Sequence, residues 1–129
     1  MNTNSENKKY NILSFDGGGI LGIVSAIILQ RIENECPGHL SKYDFYSGTS
    51  TGSIIATMLA LDIPLDDIIK IYKDEGVDIF NRNFFKKITS VGGLVGSKYS
   101  NKNLLNILKR VCGDKTLGQI NKKLLIPSF

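Results

Sequence analysis

Histidine and cysteine are scarce in the sequence, which limits the chemistry that the chain can support. There is one histidine, His39, so a metal site of several histidines is excluded, as is an ordinary Ser-His-Asp triad with a choice of partners. The two cysteines, Cys36 and Cys112, are far apart, and neither has a second cysteine at metal-ligand spacing. We therefore predict two reduced, partly buried thiols and no bound metal.

Long apolar runs are also missing. The longest are interrupted by Gly, Ser, Gln and Arg, and none approaches the ~18 residues that are needed to span a bilayer. Residues 1–9 are polar, with no apolar segment after their lysines, so we expect no secretory signal there. We expect a soluble, cytoplasmic protein in which residues 1–9 form a flexible tail.

What remains is the composition of a folded domain. Of the 129 residues, 42% are hydrophobic and 22% are charged, which excludes a disordered tail, a collagen-like fibre and a disulfide mini-protein. A chain of this length buries about two-thirds of its unfolded surface, so its core needs no disulfide or metal. The chain is long enough for one domain, or for part of one.

Charge is distributed unevenly along the chain. Residues 1–78 contain 6 Lys or Arg and 11 Asp or Glu, which gives −5, whereas residues 79–129 contain 10 Lys or Arg and one acid, which gives +9. The asymmetry suggests an anionic partner for the second half, either a lipid headgroup surface or nucleic acid; the alternative is a solvated surface. No nucleic-acid-binding motif accompanies these lysines, so we expect no nucleic acid.

Aromatic and basic residues are combined at one place in the second half. Phe80, Phe84 and Phe85 lie beside Lys86 and Lys87, a combination that suits peripheral contact with an anionic membrane surface. The alternative is a loop that packs into the core and leaves its lysines in solvent.

Apolar periodicity predicts alternating strands and helices. Runs at residues 11–15, 43–47 and 122–126 are typical of buried strands. In the first helix, apolar residues from Ile20 to Ile32 recur at helical spacing and are expected to share a buried face. This order predicts an α/β fold with helices packed on a mainly parallel sheet, in three α/β/α layers. The predicted helices run from Ile20 to Cys36, from Ser53 to Leu61, from Pro64 to Gly76, and from Ser100 or Asn101 to Gly113.

A first glycine motif, Gly17, Gly19 and Gly22, follows the first strand and opens the first helix. Glycine amides and a helix N-terminus bind negative charge, whether of a pyrophosphate or of an oxyanion. The spacing matches a dinucleotide-binding loop, but that interpretation also needs an acid near the end of the second strand. Asp44 lies at the beginning of that strand instead.

A second motif, from Gly48 through Ser50 to Gly52, lies between the second strand and the second helix. This placement matches a nucleophile elbow, in which a tight turn lifts a serine above the sheet. The alternative is a helix cap rich in Ser and Thr. If the two strands are adjacent and parallel, both loops lie at one edge. Ser50 could then attack an acyl carbonyl while amides of residues 17–19 and of Thr51 stabilise the oxyanion.

Together the two motifs resemble those of a patatin-like phospholipase. The resemblance covers Ile12 to Gly22 and Tyr46 to Gly52, with weaker support at residues 98–100 and 126–129. It implies a lipid acyl hydrolase with a Ser-Asp dyad and no cofactor, acting on phospholipids, lysophospholipids or acylglycerols. By resemblance, Ser50 is the nucleophile. The same resemblance makes Gly17, Gly18 and Gly19 the oxyanion loop and Asp16 a motif residue other than the catalytic acid.

The sequence departs from the family pattern at three points. Leu21 stands where a basic residue is usual, and Ser53 stands where a third glycine is common. The dyad aspartate, which the family carries in an Asp-Gly-Gly or Asp-Gly-Ala segment, is missing, because the chain's one Asp-Gly pair is Asp16-Gly17. We therefore expect residues 10–129 to be the N-terminal part of a patatin-like domain, with poor hydrolysis by this chain alone.

No other residue is a convincing general base. A serine hydroxyl is a poor nucleophile without one, and His39, after the first helix, is expected at the opposite side of the sheet from Ser50. Two alternatives to catalysis remain: a non-catalytic lipid-binding or regulatory fragment of the same family, and a dinucleotide-binding module.

Overall fold

The computed structural model describes residues 9–80 and 101–127, which contain three strands and four α-helices. The α/β class and the alternation of strands and helices are confirmed. The elements are β1 (Ile12–Phe15), α1 (Gly22–Glu35), β2 (Phe45–Gly48), α2 (Thr51–Ala60), α3 (Leu65–Ile79), α4 (Asn101–Cys112) and β3 (Lys123–Leu125).

The three strands form one parallel sheet in the order β1-β2-β3. In the register of the first pair, Phe15 is opposite Gly48, so β1 and β2 end at the same level. The loops that follow them therefore leave from neighbouring points at one edge of the sheet, as the sequence predicts.

The helices that contact the sheet do so on one face. α2 packs against all three strands, α1 packs against α3 and α2, and α4 packs against α3. Successive crossovers in one direction with right-handed connections place their helices on the same side of a parallel sheet. On the opposite face, Ile12 and Leu125 are 57% and 53% exposed. The described residues thus supply the sheet and one helical layer, and the second layer of an α/β/α arrangement is not seen among them.

The core is built from the sheet and all four helices, and α2 contacts all three strands as well as α1 and α3, which explains why α2 is apolar on most sides. Ile55, Ala56 and Met58 are at most 1% exposed.

The predicted face of α1 is partly wrong: Ala26 and Leu29 are buried, whereas Val24 and Ile28 are about half exposed. Small residues let α1 approach its neighbours closely, and Val24 and Ile28 lie outside this contact, whereas Ile23 and Ile27 pack partly against the core.

The predicted end of α3 is also wrong. Gly76 does not stop the helix, which continues to Ile79. Gly76 is buried, and a side chain there would meet Ile20 at 3.4 Å, so this glycine makes room for a neighbouring side chain. Phe80, which follows α3, is 6% exposed and stacks on Tyr72 with ring centroids 5.4 Å apart.

Phe80 therefore does not face a membrane. The other four residues of the predicted membrane contact, Phe84 to Lys87, lie outside the described residues. None of the helices in residues 9–80 and 101–127 combines the length and the apolar character needed to cross a bilayer. Both cysteines are free thiols; Cys36 is exposed rather than partly buried, and burial raises the pKa of the half-buried Cys112.

Candidate active site

The two glycine-containing loops lie directly against each other at the carboxyl edge of the sheet. The Thr49 amide donates to the Phe15 carbonyl oxygen at 3.2 Å, which extends the β1–β2 pairing by one residue. A Cβ atom placed on Gly17 would lie 3.0 Å from the Ser50 Cβ. The loop after β1 and the turn after β2 thus form one surface.

Ser50 occupies the turn between β2 and α2 in a strained conformation. Its φ is 52° and its ψ is −124°, a combination that side-chain-bearing residues rarely adopt. The side chain is exposed. An exposed serine held at a positive φ between a strand and a helix has the geometry of a nucleophile elbow.

The glycines at both ends of this turn are required by close backbone contacts. A Cβ on Gly48 would lie 2.3 Å from the Gly52 carbonyl oxygen, and a Cβ on Gly52 would lie 2.4 Å from the Phe15 carbonyl oxygen. Neither backbone neighbour can move without breaking the sheet or the start of α2. Only glycine at both positions lets the strand turn this sharply into the helix.

The turn is closed by hydrogen bonds at the start of α2. The Gly52 amide donates to the Thr49 carbonyl oxygen at 2.9 Å. The Ser50 carbonyl oxygen accepts from the Ser53 amide at 3.0 Å and from the Ser53 hydroxyl at 2.6 Å. Ser53, one of the departures from the family pattern, thus adds a hydrogen bond that glycine, which has no side chain, could not make.

In the loop after β1, the amides differ in their partners. The Gly17 amide donates to the Thr49 side-chain oxygen at 3.1 Å. For the Gly18 and Gly19 amides there is no acceptor within residues 9–80 and 101–127. Gly19 has a φ of 57°, which turns the chain into the short helical turn that precedes α1. Free amides at a helix start are suited to binding an anionic oxygen.

A buried polar contact fixes α2 behind the turn. Thr51 is 1% exposed, and its hydroxyl lies 2.5 Å from the hydroxyl of Tyr72 on α3. Burial raises the pKa of Tyr72 to about 12, although the hydrogen bond with Thr51 opposes this. Gly22 packs beside both groups, since a Cβ there would meet the Thr51 hydroxyl at 3.0 Å and the Tyr72 hydroxyl at 3.1 Å.

A shallow cavity of about 360 Å³ adjoins the glycine loop, lined by Ser14, Asp16, Leu21 and Ser25 among others. Leu21 is 68% exposed there, where the family usually has a basic residue. A larger cavity of about 420 Å³, lined by Glu33, Tyr46 and Lys122, lies beside the starts of β2 and β3 and therefore at the opposite edge from Ser50. The smaller cavity is lined by Gly17 and Gly18 of the loop that contacts the serine turn, and Ser50 lines neither cavity.

The remaining titratable candidates lie away from Ser50. His39 pairs with the Tyr43 hydroxyl at 2.9 Å, ahead of β2 and thus at the opposite edge. Asp44, considered for a dinucleotide ribose, instead accepts from the Asn11 amide at 3.0 Å at that same edge. In the part of the chain that the structure describes, no carboxylate or imidazole is hydrogen-bonded to the Ser50 hydroxyl, and no group of three His, Cys, Asp or Glu could hold a metal ion.

Three residues of this site have contacts that the sequence patterns did not identify. Thr49 bonds the glycine loop, Ser53 bonds the Ser50 carbonyl, and Tyr72 bonds Thr51. The helical spacing of Leu65, Ile68, Ile69 and Tyr72 in the sequence predicts only an apolar stripe on α3. A polar atom on an otherwise apolar stripe was the one available signal, because a buried tyrosine hydroxyl usually has a partner.

Comparisons with known proteins identify the family to which the sequence belongs. The family model for patatin-like phospholipase matches residues 13–128. The chain is 32% identical to patatin group M-2 of Solanum tuberosum over 95% of its own length and 33% of that protein, and 32% identical to patatin-2-Kuras 4 of the same plant over 92% and 33%. It spans about a third of the length of these relatives. No solved structure matches significantly. The chain belongs to the patatin-like phospholipase family, a family of lipid acyl hydrolases.

Proposed function

We propose that this chain carries the nucleophile and the oxyanion-binding amides of a serine lipid acyl hydrolase. The observation that carries the proposal is the contact between the two loops: Ser50 is exposed at φ 52°, and a Cβ on Gly17 would lie 3.0 Å from its side chain. An acyl carbonyl bound at Ser50 therefore has main-chain donors beside it. The helix-cap alternative does not require a strained, exposed serine.

In the proposed reaction, the Ser50 oxygen attacks the acyl carbonyl carbon while its proton passes to a general base. The carbonyl oxygen becomes an oxyanion that accepts hydrogen bonds from the amides of Gly18, Gly19 and Thr51, each worth about 3–4 kcal/mol of barrier. The ester bond breaks, the alcohol leaves with the proton, and an acyl-serine remains. Water, activated by the same base, releases the fatty acid and restores Ser50.

The general base is proposed to be an aspartate of the patatin-like domain outside this chain. Residues 10–129 then form the N-terminal part of that domain, in keeping with their alignment to about a third of the potato patatins. The chain alone should hydrolyse esters poorly, since a serine hydroxyl is a weak nucleophile when no general base removes its proton. In this proposal, the remainder of the domain covers the open face of the sheet.

The proposed substrates are phospholipids, lysophospholipids or acylglycerols, from the family membership. Peripheral contact with an anionic membrane surface is a separate proposal, which rests on the net charge of +9 in residues 79–129. Sedimentation with vesicles of zwitterionic lipid, with and without anionic lipid, tests it. Equal binding to vesicles with and without anionic lipid would show that the lysines do not direct membrane contact.

The test of catalysis compares residues 1–129 with the intact protein on a phospholipid and on a short acyl ester. We expect turnover by the intact protein, loss of at least about 1,000-fold in Ser50→Ala, and little turnover by residues 1–129. Ser41→Ala, which changes an exposed serine ahead of β2 and thus at the opposite edge of the sheet from Ser50, is the matched control and should keep its activity. Labelling by a fluorophosphonate should require Ser50.

Two results would contradict the proposal in different ways. Strong hydrolysis by residues 1–129 that depends on Ser50 would place the base within this chain. An intact, folded protein that neither hydrolyses lipids nor reacts with the fluorophosphonate would support the non-catalytic alternative. Stabilisation by nucleotides without labelling of Ser50 would instead favour the dinucleotide module.

A further inference from the structure

The Thr49 side chain lies between the glycine loop and the serine turn. Its hydroxyl oxygen accepts from the Gly17 amide at 3.1 Å, while its own amide donates to the Phe15 carbonyl oxygen at 3.2 Å. Thr49 is therefore joined to the chain before Gly17 and to Gly17 itself. Within residues 9–80 and 101–127, this is the one side-chain hydrogen bond between the two loops.

This bond also decides which amides are available. Because the Gly17 amide is committed to Thr49, it cannot at the same time donate to an oxyanion. The amides of Gly18 and Gly19 follow directly and have no acceptor in the described residues. The hydrogen bond to Thr49 holds the Gly17 peptide in place at the start of residues 17–19. The direction of the Gly18 and Gly19 N–H groups therefore depends on the contact with Thr49.

We propose that Thr49 is a positioning residue for the oxyanion-binding amides. It touches neither the reacting carbon nor the oxyanion; it holds the glycine loop at a fixed distance from Ser50 so that Gly18 and Gly19 are in place before the substrate binds. Preorganised donors accelerate a reaction because they need no rearrangement when charge develops. The inference rests on the proposed function, since it assumes that Ser50 reacts through an oxyanion.

Other interactions do not replace this contact. A Cβ on Gly17 would meet the Ser50 Cβ at 3.0 Å and the Thr49 carbonyl oxygen at 3.3 Å, so the two loops are in van der Waals contact there. Such contact prevents closer approach but does not orient an amide. Thr49 is exposed, and without its hydroxyl water can bond the Gly17 amide from other directions.

The test uses three variants of the intact protein. Thr49→Val keeps the shape and removes the acceptor, whereas Thr49→Ser keeps the hydroxyl. Thr57→Val is the matched control. The Thr57 hydroxyl also forms one hydrogen bond, to the Ser53 carbonyl oxygen at 2.7 Å, but this bond lies within α2 and does not involve the glycine loop. The measurement is the rate of Ser50 phosphonylation by a fluorophosphonate, resolved into the maximal rate and the half-saturating concentration.

We expect Thr49→Val to lower the maximal rate about tenfold or more, since a whole oxyanion donor is worth about 100- to 1,000-fold. The half-saturating concentration should change little, and Thr49→Ser and Thr57→Val should react within about twofold of the parent. A second readout does not depend on reaction: in residues 1–129, hydrogen exchange of the Gly17 amide should accelerate in Thr49→Val and not in Thr49→Ser.

The outcomes separate this inference from the proposed function. If the parent protein does not label at Ser50, the proposed function fails and the inference falls with it. If the parent labels but Thr49→Val labels equally fast, the positioning role alone is refuted. A loss in Thr49→Val that Thr49→Ser does not restore, or unchanged Gly17 exchange in Thr49→Val, also overturns it.

Discussion

The hydroxyl groups of Thr51 and Tyr72 lie 2.5 Å apart at the point where α1, α2 and α3 meet. Both residues are at most 2% exposed. Gly22 at the start of α1 approaches both hydroxyls so closely that a Cβ would meet them at about 3 Å. One buried polar contact thus holds together the helix that begins after Ser50, the helix that begins after the glycine loop, and α3.

This pair predicts a specific pattern in a double-mutant cycle. Tyr72→Phe leaves the Thr51 hydroxyl buried without its partner, and Thr51→Val leaves the Tyr72 hydroxyl only its longer bond to the Thr51 carbonyl oxygen at 3.4 Å. Each should therefore lower the free energy of unfolding by about 1–3 kcal/mol. The double variant should be less destabilised than the sum, because it buries neither group alone. Urea unfolding measures all four proteins, and strict additivity would show that the hydroxyls do not interact.

The same tyrosine predicts a loss of stability in alkali. Burial raises its pKa to about 12 in the folded protein, whereas an unfolded tyrosine titrates near 10. Between these values the unfolded state binds fewer protons, so the free energy of unfolding falls as pH rises, by up to about 2–3 kcal/mol. Below pH 10 the contribution is fully present.

Urea titrations at pH 9 and at pH 11.5 measure this loss. Tyr72→Phe removes the group and should show a smaller decrease between the two pH values. Tyr10→Phe is a useful control, because Tyr10 is exposed. If Tyr72→Phe and the parent lose the same stability, another group is responsible for the alkaline decrease.

The placement of both loops was predictable because glycines and apolar runs mark it in the sequence. A short apolar run followed by glycines predicts where a strand ends, and parallel strands bring such ends to one edge. The serine turn was predictable for the same reason. The sequence predicts only a tight turn there, and the strain is a finding of the structure, in which Ser50 has a φ of 52°.

The errors in α1 and α3 share one physical cause, which is that close packing uses small residues. The isoleucines of α1 suggested its buried face, but Ala26 has no exposed surface and Ile28 is about half exposed. Gly76 was interpreted as a helix end, yet it lies within α3 against Ile20. Hydrophobic periodicity does not detect helix faces on which alanine or glycine is buried because its small size permits close packing.

The contacts of Thr49 and Tyr72 could not be predicted from spacing. Thr49 reaches Gly17 across 32 residues, and Thr51 reaches Tyr72 across 21. Both hydrogen bonds form only after the sheet and helices have come together. A threonine beside a nucleophile can equally cap a helix or face solvent, so its partner depends on tertiary structure.

The close approach of Gly52 to β1 predicts severe destabilisation by a single methyl group. In Gly52→Ala the new Cβ would lie 2.4 Å from the Phe15 carbonyl oxygen, so either the turn or the strand must move. We expect a loss of at least about 3 kcal/mol, or failure to fold. Gly118→Ala is the matched control, since the nearest atom to its Cβ is 4.0 Å away. Equal unfolding midpoints for the two variants would contradict the geometry.

The strain at Ser50 predicts that removing the side chain stabilises the protein. A residue with a side chain at φ 52° and ψ −124° carries a cost of about 1–3 kcal/mol, which glycine does not. Glycine loses about 0.5–1 kcal/mol more backbone entropy on folding, so Ser50→Gly should raise the free energy of unfolding by about 1 kcal/mol.

The matched variant is Asp62→Gly, which relieves a similar φ of 58° at the end of α2, away from the serine turn. Both variants should be more stable than the parent in urea, but only Ser50→Gly should lose fluorophosphonate labelling in the intact protein. This result would mean that the strain at Ser50 is retained for reactivity, because stability alone favours glycine there. A Ser50→Gly variant less stable than the parent would show that the turn holds the serine without strain.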